Sequence, residues 1–300
     1  MIQLSHRPER RSTVILENEE IIKEYSVIGD DLYYHHTLTP ATGSDYSNEP
    51  SAHTQHELLY LLKGELCYVI EGETYRVREG DMIFVEPGEI HTLYINGSLP
   101  YERIVLLFDM SILHGIMNAV GTELRAFSHD GRNEFHIIKS EHVRRHGLDR
   151  ILTELTEANV DPKYKKLDII SRLILFVTEI DRLISKNGEA FRSPDLCDPL
   201  VRAVTEYVDR HIGDPLPLER IASALFVSKS TLCHKFSRLM RVSVSRYVTM
   251  RKIYRARDLI NSGMSTHAAA EAVGYDSYAS FFYNYKHVIG SSPTSRRDGE

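Results

Sequence analysis

The side chains best suited to chemistry lie in the last hundred of the 300 residues. Lys229, Ser230, Thr231, His234, Lys235 and Arg238 share one side of a helix, opposite Leu232 and Phe236. Hydroxyls, an imidazole and cations in that array can hydrogen-bond base edges and neutralise phosphates. At an offset of 49, Phe281 and Tyr285 give a second helix the same apolar side. Its free side offers Tyr278, Ala279, Phe282, Tyr283 and Lys286. That face has few groups for purine edges, so thymine-methyl contacts and backbone hydrogen bonds from tyrosine are expected to dominate there. Elsewhere no GxSxG, HExxH or glycine-rich phosphate loop occurs, and no enzymatic activity is expected.

Each of these helices needs a neighbour to hold it. Short helices at Leu218 to Leu225 and Thr266 to Val273 precede them, each followed by a tight turn and a capping residue, Ser228 in one and Asp276 or Ser277 in the other. Ala222, Leu225 and Val227 are answered by Ala270, Val273 and Tyr275 at an offset of 48, so one helix-turn-helix unit occurs twice. Between the units, Val244 to Ser262 can form a helix of ~28 Å. That roughly matches the ~34 Å between successive major grooves on one face of DNA.

Charge supports this reading once the chain is divided. The formal net charge is −6, but residues 1 to 194 hold 21 Lys and Arg against 31 Asp and Glu, and residues 195 to 300 hold 15 against 11. From Leu216 to Gly290 the count is 11 against 4, a local basic excess over the two units. Cys67, Cys197 and Cys233 form no CxxC pair, which argues against a disulfide framework and a thiolate zinc site. No apolar run approaches the ~20 residues of a membrane span, and Met1 to Arg11 lacks a signal-peptide core. A cytoplasmic chain with no membrane association is expected.

The first hundred residues read as strands. Leu58 to Leu62, Leu66 to Ile70 and Met82 to Val85 are separated by breaks at Gly64, Gly72 and Gly80, as in an antiparallel sandwich or small barrel. Helical periodicity follows from His142 to Glu157 and from Lys166 to Ile184, divided at Asp161-Pro162. The stripe Leu167, Ile170, Leu173, Ile174 and Val177 suits either packing on the barrel or a homodimer seam, and the seam is slightly favoured. The expected divisions are 1–110, a β domain; 111–190, a helical connecting or dimerising segment; 191–199, a linker; and 200–298, an all-α domain.

The stretch Leu218 to Leu232, with Arg251, Ala256, Ala270 to Asp276, Phe281, Tyr285-Lys286, Gly290, Pro293 and Arg296, resembles the DNA-binding domain of AraC/XylS-type transcription regulators. The resemblance implies double-stranded promoter DNA and RNA polymerase as partners, and activation as the usual outcome. By position in the motif it assigns base reading to Ser230, Cys233, His234, Tyr278, Ala279, Phe282 and Tyr283. Two departures stand out: Arg241 replaces a glycine and Phe226 a small or turn-forming residue, so a positive φ at either would be strained. Thr266 and Ala269 replace isoleucines, which predicts a thinner core and lower stability for the second unit.

His53-Thr54-Gln55-His56-Glu57 ahead of Gly64, with Pro87-Gly88-Glu89-Ile90-His91, resembles the two motifs of cupin jelly-roll barrels, over about Tyr33 to Phe108. That resemblance implies a small-molecule effector, a sugar or related metabolite, held at His53, Glu57 and His91. Metal-binding cupins place a further histidine where this chain has Ser51. The three remaining groups could still take iron, manganese or zinc, but a polar pocket without metal or cofactor is favoured. His56 is expected to point away from Glu57 and lie at the surface. The overall expectation is an effector-controlled transcription regulator; the competing readings are a metal-dependent cupin enzyme tethered to DNA and a ligand-independent architectural protein.

Overall fold

The computed structural model describes residues 19–27, 31–48, 50–127, 136–156, 163–186 and 196–294. The Asp161-Pro162 break, the Asn187-Gly188 helix end, residues 191–195 of the linker and Arg296 lie outside them.

The N-terminal half is a two-sheet jelly roll. Its six-stranded sheet runs β1 (Glu20–Val27), β2 (Leu32–Thr39), β9 (Tyr101–Phe108), β4 (His56–Lys63), β7 (Met82–Val85) and β10 (Ile137–Ile138). The five-stranded sheet runs β11 (Leu196–Cys197), β6 (Glu73–Arg78), β5 (Glu65–Ile70), β8 (His91–Ile95) and β3 (Tyr46–Ser47). Leu59, Leu61, Val105 and Leu107 face Leu66, Tyr68, Tyr75 and Leu93 across the inter-sheet core. Their neighbours Leu58, Ile104, Leu106 and Phe108 point the other way, into a second core under α1 (Ser111–Val120), α2 (Ser140–Arg145), α3 (Leu148–Thr156) and α4 (Lys165–Lys186). Burial of both faces explains why β4 reads as the unbroken run Leu58-Leu-Tyr-Leu-Leu62 rather than an alternation.

The same layer corrects one expectation. His56 does point away from Glu57, but it is only 3% exposed, stacked on Phe84 and Phe108 and edge-on to Phe127. Alternation alone does not say that the outer face is covered. The helix expected from His142 to Glu157 is two helices, α2 and α3, broken at Gly147 with φ 64°. In the α4 stripe, Leu173 and Val177 are fully buried within the chain while Leu167 is 68% exposed.

The C-terminal half is all-α: α5 (Pro199–Arg210), α6 (Leu218–Ala224), α7 (Lys229–Met240), α8 (Val244–Asn261), α9 (Thr266–Ala272) and α10 (Tyr278–Ile289). One core joins α5, α6, α7 and the start of α8 through Val204, Ile221, Leu232, Phe236 and Tyr247. A second joins the end of α8 to α9 and α10 through Ile253, Ala269, Ala270, Val273, Phe281 and Tyr285. α8 is therefore the shared spine, about 27 Å long at 1.5 Å per residue. Lys252 is buried midway along it, and its Nζ donates to the carbonyls of Asp214 (2.8 Å) and Gly274 (3.3 Å), tying the loop between α5 and α6 and the turn of the second unit to one ammonium.

Candidate functional site

In the first unit, Ser228 caps α7 by accepting from the Thr231 amide. With Leu232, Phe236 and Met240 buried, the helix leaves Lys229, Ser230, Thr231, His234 and Arg238 exposed and Cys233 and Lys235 half-buried. Lys229 pairs with Glu219, and Lys235 Nζ lies 3.0 Å from Asp198, the N-cap of α5. In the second unit the cap is Ser277, resolving the choice left between Asp276 and Ser277. Ala279, Phe282, Tyr283 and Lys286 are exposed. Tyr278 is half-buried, stacked at 3.8 Å on His267 with its hydroxyl 3.0 Å from Thr266 Oγ1. Part of the basic excess is absorbed internally: Arg251, Lys252 and Arg257 all have hydrogen-bond partners inside the fold. Exposed Arg238, Arg241, Arg246, Arg255 and Lys286 remain for phosphate.

The turn positions carry the strain expected from the two departures. Phe226 has φ 54° and Arg241 φ 56°, while the equivalent positions of the second unit are Gly274 (φ 70°) and Gly290 (φ 83°). At Gly274 a Cβ would lie 2.4 Å from the Gly213 carbonyl oxygen, so glycine there is also required for space.

Inside the barrel, β4 aims Glu57 at the lumen beside the His53 loop and the start of β8. Glu57 Oε2 lies 2.8 Å from His53 Nε2 and 3.7 Å from His91 Nε2, and its Oε1 accepts from Tyr68 Oη at 2.6 Å. Burial alone would raise the Glu57 pKa, but the His53 contact, the His91 and His53 charges and the Tyr68 bond bring it down to about 2. Burial lowers His91 to about 4, with Glu57 opposing. The structure thus brings His53, Glu57 and His91 together, and adds Tyr68 and Ser51, whose Oγ is 3.5 Å from His91 Nε2. The lumen continues toward buried Arg103, which sits 4.9 Å above the Tyr101 ring and 3.0 Å from Glu19. Arg103, Tyr101 and Tyr68 carry no motif and were not singled out from sequence.

The barrel loops that hold this cluster also touch the helical half. Tyr254 Oη donates to the Ala52 carbonyl (2.8 Å) and Arg257 to the Thr54 carbonyl (3.1 Å), the two residues flanking His53. Ile90, next to His91, packs with Val201, Val204 and Tyr247. Glu71 is held at φ 49° in the β5–β6 turn, and its carboxylate accepts from the Ile90 amide (2.8 Å) and the Tyr247 hydroxyl, with Arg251 3.9 Å away. Despite burial, the Arg251 pKa is raised by Tyr247, Glu71 and Asp209. At the end of the expected linker, Leu196 and Cys197 pair with Thr74 and Glu73 of β6.

A jelly roll with a buried polar cluster, seated on a tandem helix-turn-helix domain, defines the class: a ligand-binding barrel coupled to a DNA-binding head. Comparison with known proteins gives the same order of parts. The family model for an AraC-like ligand binding domain matches residues 33–160, and that for a helix-turn-helix domain matches residues 221–299. The chain belongs to the AraC/XylS-type family of transcription regulators. Among curated relatives, the uncharacterized HTH-type transcriptional regulator YdiP of Escherichia coli K12 is 27% identical over 101 residues, 33% of either chain. The xylose operon regulatory protein of the same organism is 25% identical over 118 residues, 39% of this chain and 30% of that one. The chain thus spans about a third of the length of these relatives. The crystal structure of ToxT from Vibrio cholerae O395 aligns with 88% of this chain and 96% of that one at 12% identity and a TM-score of 0.37, too loose to carry an argument. No helix among the described residues is long and apolar enough to cross a membrane.

Proposed function

We propose that this chain binds duplex DNA sequence-specifically through α7 and α10 and regulates transcription, as an activator, under control of a small polar effector held at His53, Glu57 and His91. The observation that carries the reading is the pair of exposed, capped helices set on one spine, α8, whose opposite contacts are with the loops around His53 and His91. An effector that changes those loops changes what Tyr254, Arg257 and Tyr247 hold, and so biases the placement of both reading helices. A sugar or related metabolite is the effector class implied by the family, and RNA polymerase the expected protein partner. Lys229, Ser230, Thr231, Cys233, His234, Lys235 and Arg238 are assigned to the first half-site, and Tyr278, Ala279, Phe282, Tyr283 and Lys286 to the second.

We assign a homodimer seam to the outer face of α4, where Leu167 and Leu175 are exposed and Ile174 is half-buried, rather than to the whole stripe read from sequence. DNA binding is tested by gel shift with rising salt. Six to ten phosphate contacts require a loss of about 10³–10⁵ in affinity between 50 and 200 mM. A flat salt response with no sequence preference removes the reading.

A further inference from the structure

One wall of the barrel carries polar groups that the fold itself does not use. Tyr33 of β2 lies in the inter-sheet core, and side chains two apart along a strand share a face, so His35, Thr37 and Thr39 also point into the lumen. Strand pairing sets Thr37 directly opposite Arg103 and Thr39 opposite Tyr101 on β9. The three β2 residues are at most 4% exposed. Among the described residues, His35 Nδ1, Thr37 Oγ1 and Thr39 Oγ1 have no hydrogen-bond partner. Folding strips water from an imidazole nitrogen and two hydroxyls and returns nothing, a cost that valine at 37 or 39 would avoid with nearly the same shape. Packing alone does not select such groups, whereas a polar ligand in the lumen satisfies them.

The charge beside them selects the ligand. Burial alone would lower the Arg103 pKa, but Tyr101, Glu19 and Glu57 raise it, so the guanidinium stays charged. It is already paired with a carboxylate, that of Glu19, at 3.0 Å. Glu19 reaches it from just before the edge strand β1, whose first residues Glu20, Ile21 and Ile22 are exposed and whose ladder is irregular between Ile21 and Lys23. A buried ion pair thus hangs on a weakly supported edge of the barrel. A carboxylate entering the lumen can take the same guanidinium and also accept from Thr37 and Thr39, contacts that Glu19 does not make. We propose that the effector is a small carboxylate whose carboxyl group binds Arg103 in exchange for Glu19, with the Thr37 and Thr39 hydroxyls donating to it. The planar guanidinium fork matches that group in a way a neutral hydroxyl does not. The proposal rests on the reading of the barrel as the effector pocket and names the ligand class; the rest of the molecule extends toward Tyr68 and the His53 cluster.

The test is calorimetric titration of the full chain with acetate, succinate, hexanoate and benzoate, each against its primary amide, with D-glucose and inorganic phosphate as the sugar and phosphate arms. At least one carboxylate is expected to bind saturably below about 1 mM and its amide about tenfold or more weaker, the loss that follows from removing a charged hydrogen-bond partner. Arg103→Gln is expected to weaken the carboxylate by about tenfold or more, and Glu19→Gln, which removes the competitor, to tighten it by about threefold or more. Should Arg103→Gln fail to fold, Thr37→Val decides. A loss of about fivefold or more with an unchanged or raised thermal midpoint is expected there, because the hydroxyl has no partner in the fold to lose. Equal binding of acid and amide, no carboxylate bound at about 10 mM, glucose or phosphate bound in place of every carboxylate, or Glu19→Gln and Thr37→Val both binding as the parent does overturns the proposal. The effector-pocket reading fails separately: carboxylate binding that leaves the fraction of duplex DNA bound unchanged supports the site and removes its regulatory role. A glucose response of DNA binding that survives in Arg103→Gln keeps the effector pocket and overturns the carboxylate.

Discussion

Replacing Phe226 and Arg241 by glycine is expected to stabilise the helical half. Both residues sit in the left-handed region, at the turn of the first helix-turn-helix unit and just after α7, where the second unit uses Gly274 and Gly290. A side chain there costs roughly 1–2 kcal/mol. Glycine returns about 0.5–1 kcal/mol of that through the greater freedom of the unfolded chain. Phe226 is 97% exposed and Arg241 is exposed, so truncation forfeits no burial. The net gain is about 0.5–1 kcal/mol per site, and about 1–2 kcal/mol for Phe226→Gly with Arg241→Gly if the sites are additive. For a helical domain of about a hundred residues this raises the thermal midpoint by roughly 5–10 °C. The assay is thermal unfolding of the full chain followed by helical circular dichroism. Gly274→Ala is the opposing control, because φ 70° and the 2.4 Å approach to Gly213 make it destabilising by more than about 2 kcal/mol. Unchanged or lowered midpoints in both glycine variants, with Gly274→Ala neutral, would refute the strain argument.

A double-mutant cycle of Glu71→Gln and Tyr247→Phe measures the bond between barrel and spine. A coupling of about 1.5–2 kcal/mol in the first urea transition is expected for a hydrogen bond to a charged group with Arg251 still nearby, and strict additivity would show that it does not hold the halves together. Arg238→Ala is expected to lower the magnitude of the salt slope of DNA binding by about one, and an unchanged slope with unchanged affinity would take it off the interface. Amide hydrogen exchange is expected to be faster in α9 and α10 than in α6 and α7, since their core rests on Ala269 and Ala270; equal protection contradicts the thinner-core reading. Leu175→Lys is expected to convert a dimer to a monomer in analytical ultracentrifugation at micromolar concentration, and a monomeric parent chain would dispose of the α4 seam.

Local features were legible in the sequence because they depend on near neighbours. Ser228 and Ser277 cap the helices whose starts they mark, and the offsets of 48 and 49 also align Phe226 with Gly274 and Arg241 with Gly290. His53, Glu57 and His91 were chosen by motif resemblance and do converge. What escaped depends on remote partners. Glu71 and Tyr247 are 176 residues apart and leave no periodic trace. The burial of His56 depends on Phe127, contributed by a short 3-10 turn beyond α1. Arg251 and Arg257 add to the basic excess of the helical half, yet are turned inward, Arg251 to Asp209 and Glu71 and Arg257 to the Thr54 carbonyl of the barrel. A charge count gives the number of cations and says nothing of which way they face.

The central claim is that α7 and α10, carried on one spine, read two adjacent stretches of a DNA site. Selection of duplexes from a randomised library by the full chain tests it directly. The expected result is an enriched site with two sequence-specific blocks about one helical turn, 10–10.5 bp, apart, with the first block relaxed by His234→Ala and the second by Phe282→Ala. No enrichment, or a single block indifferent to both substitutions, would contradict the account.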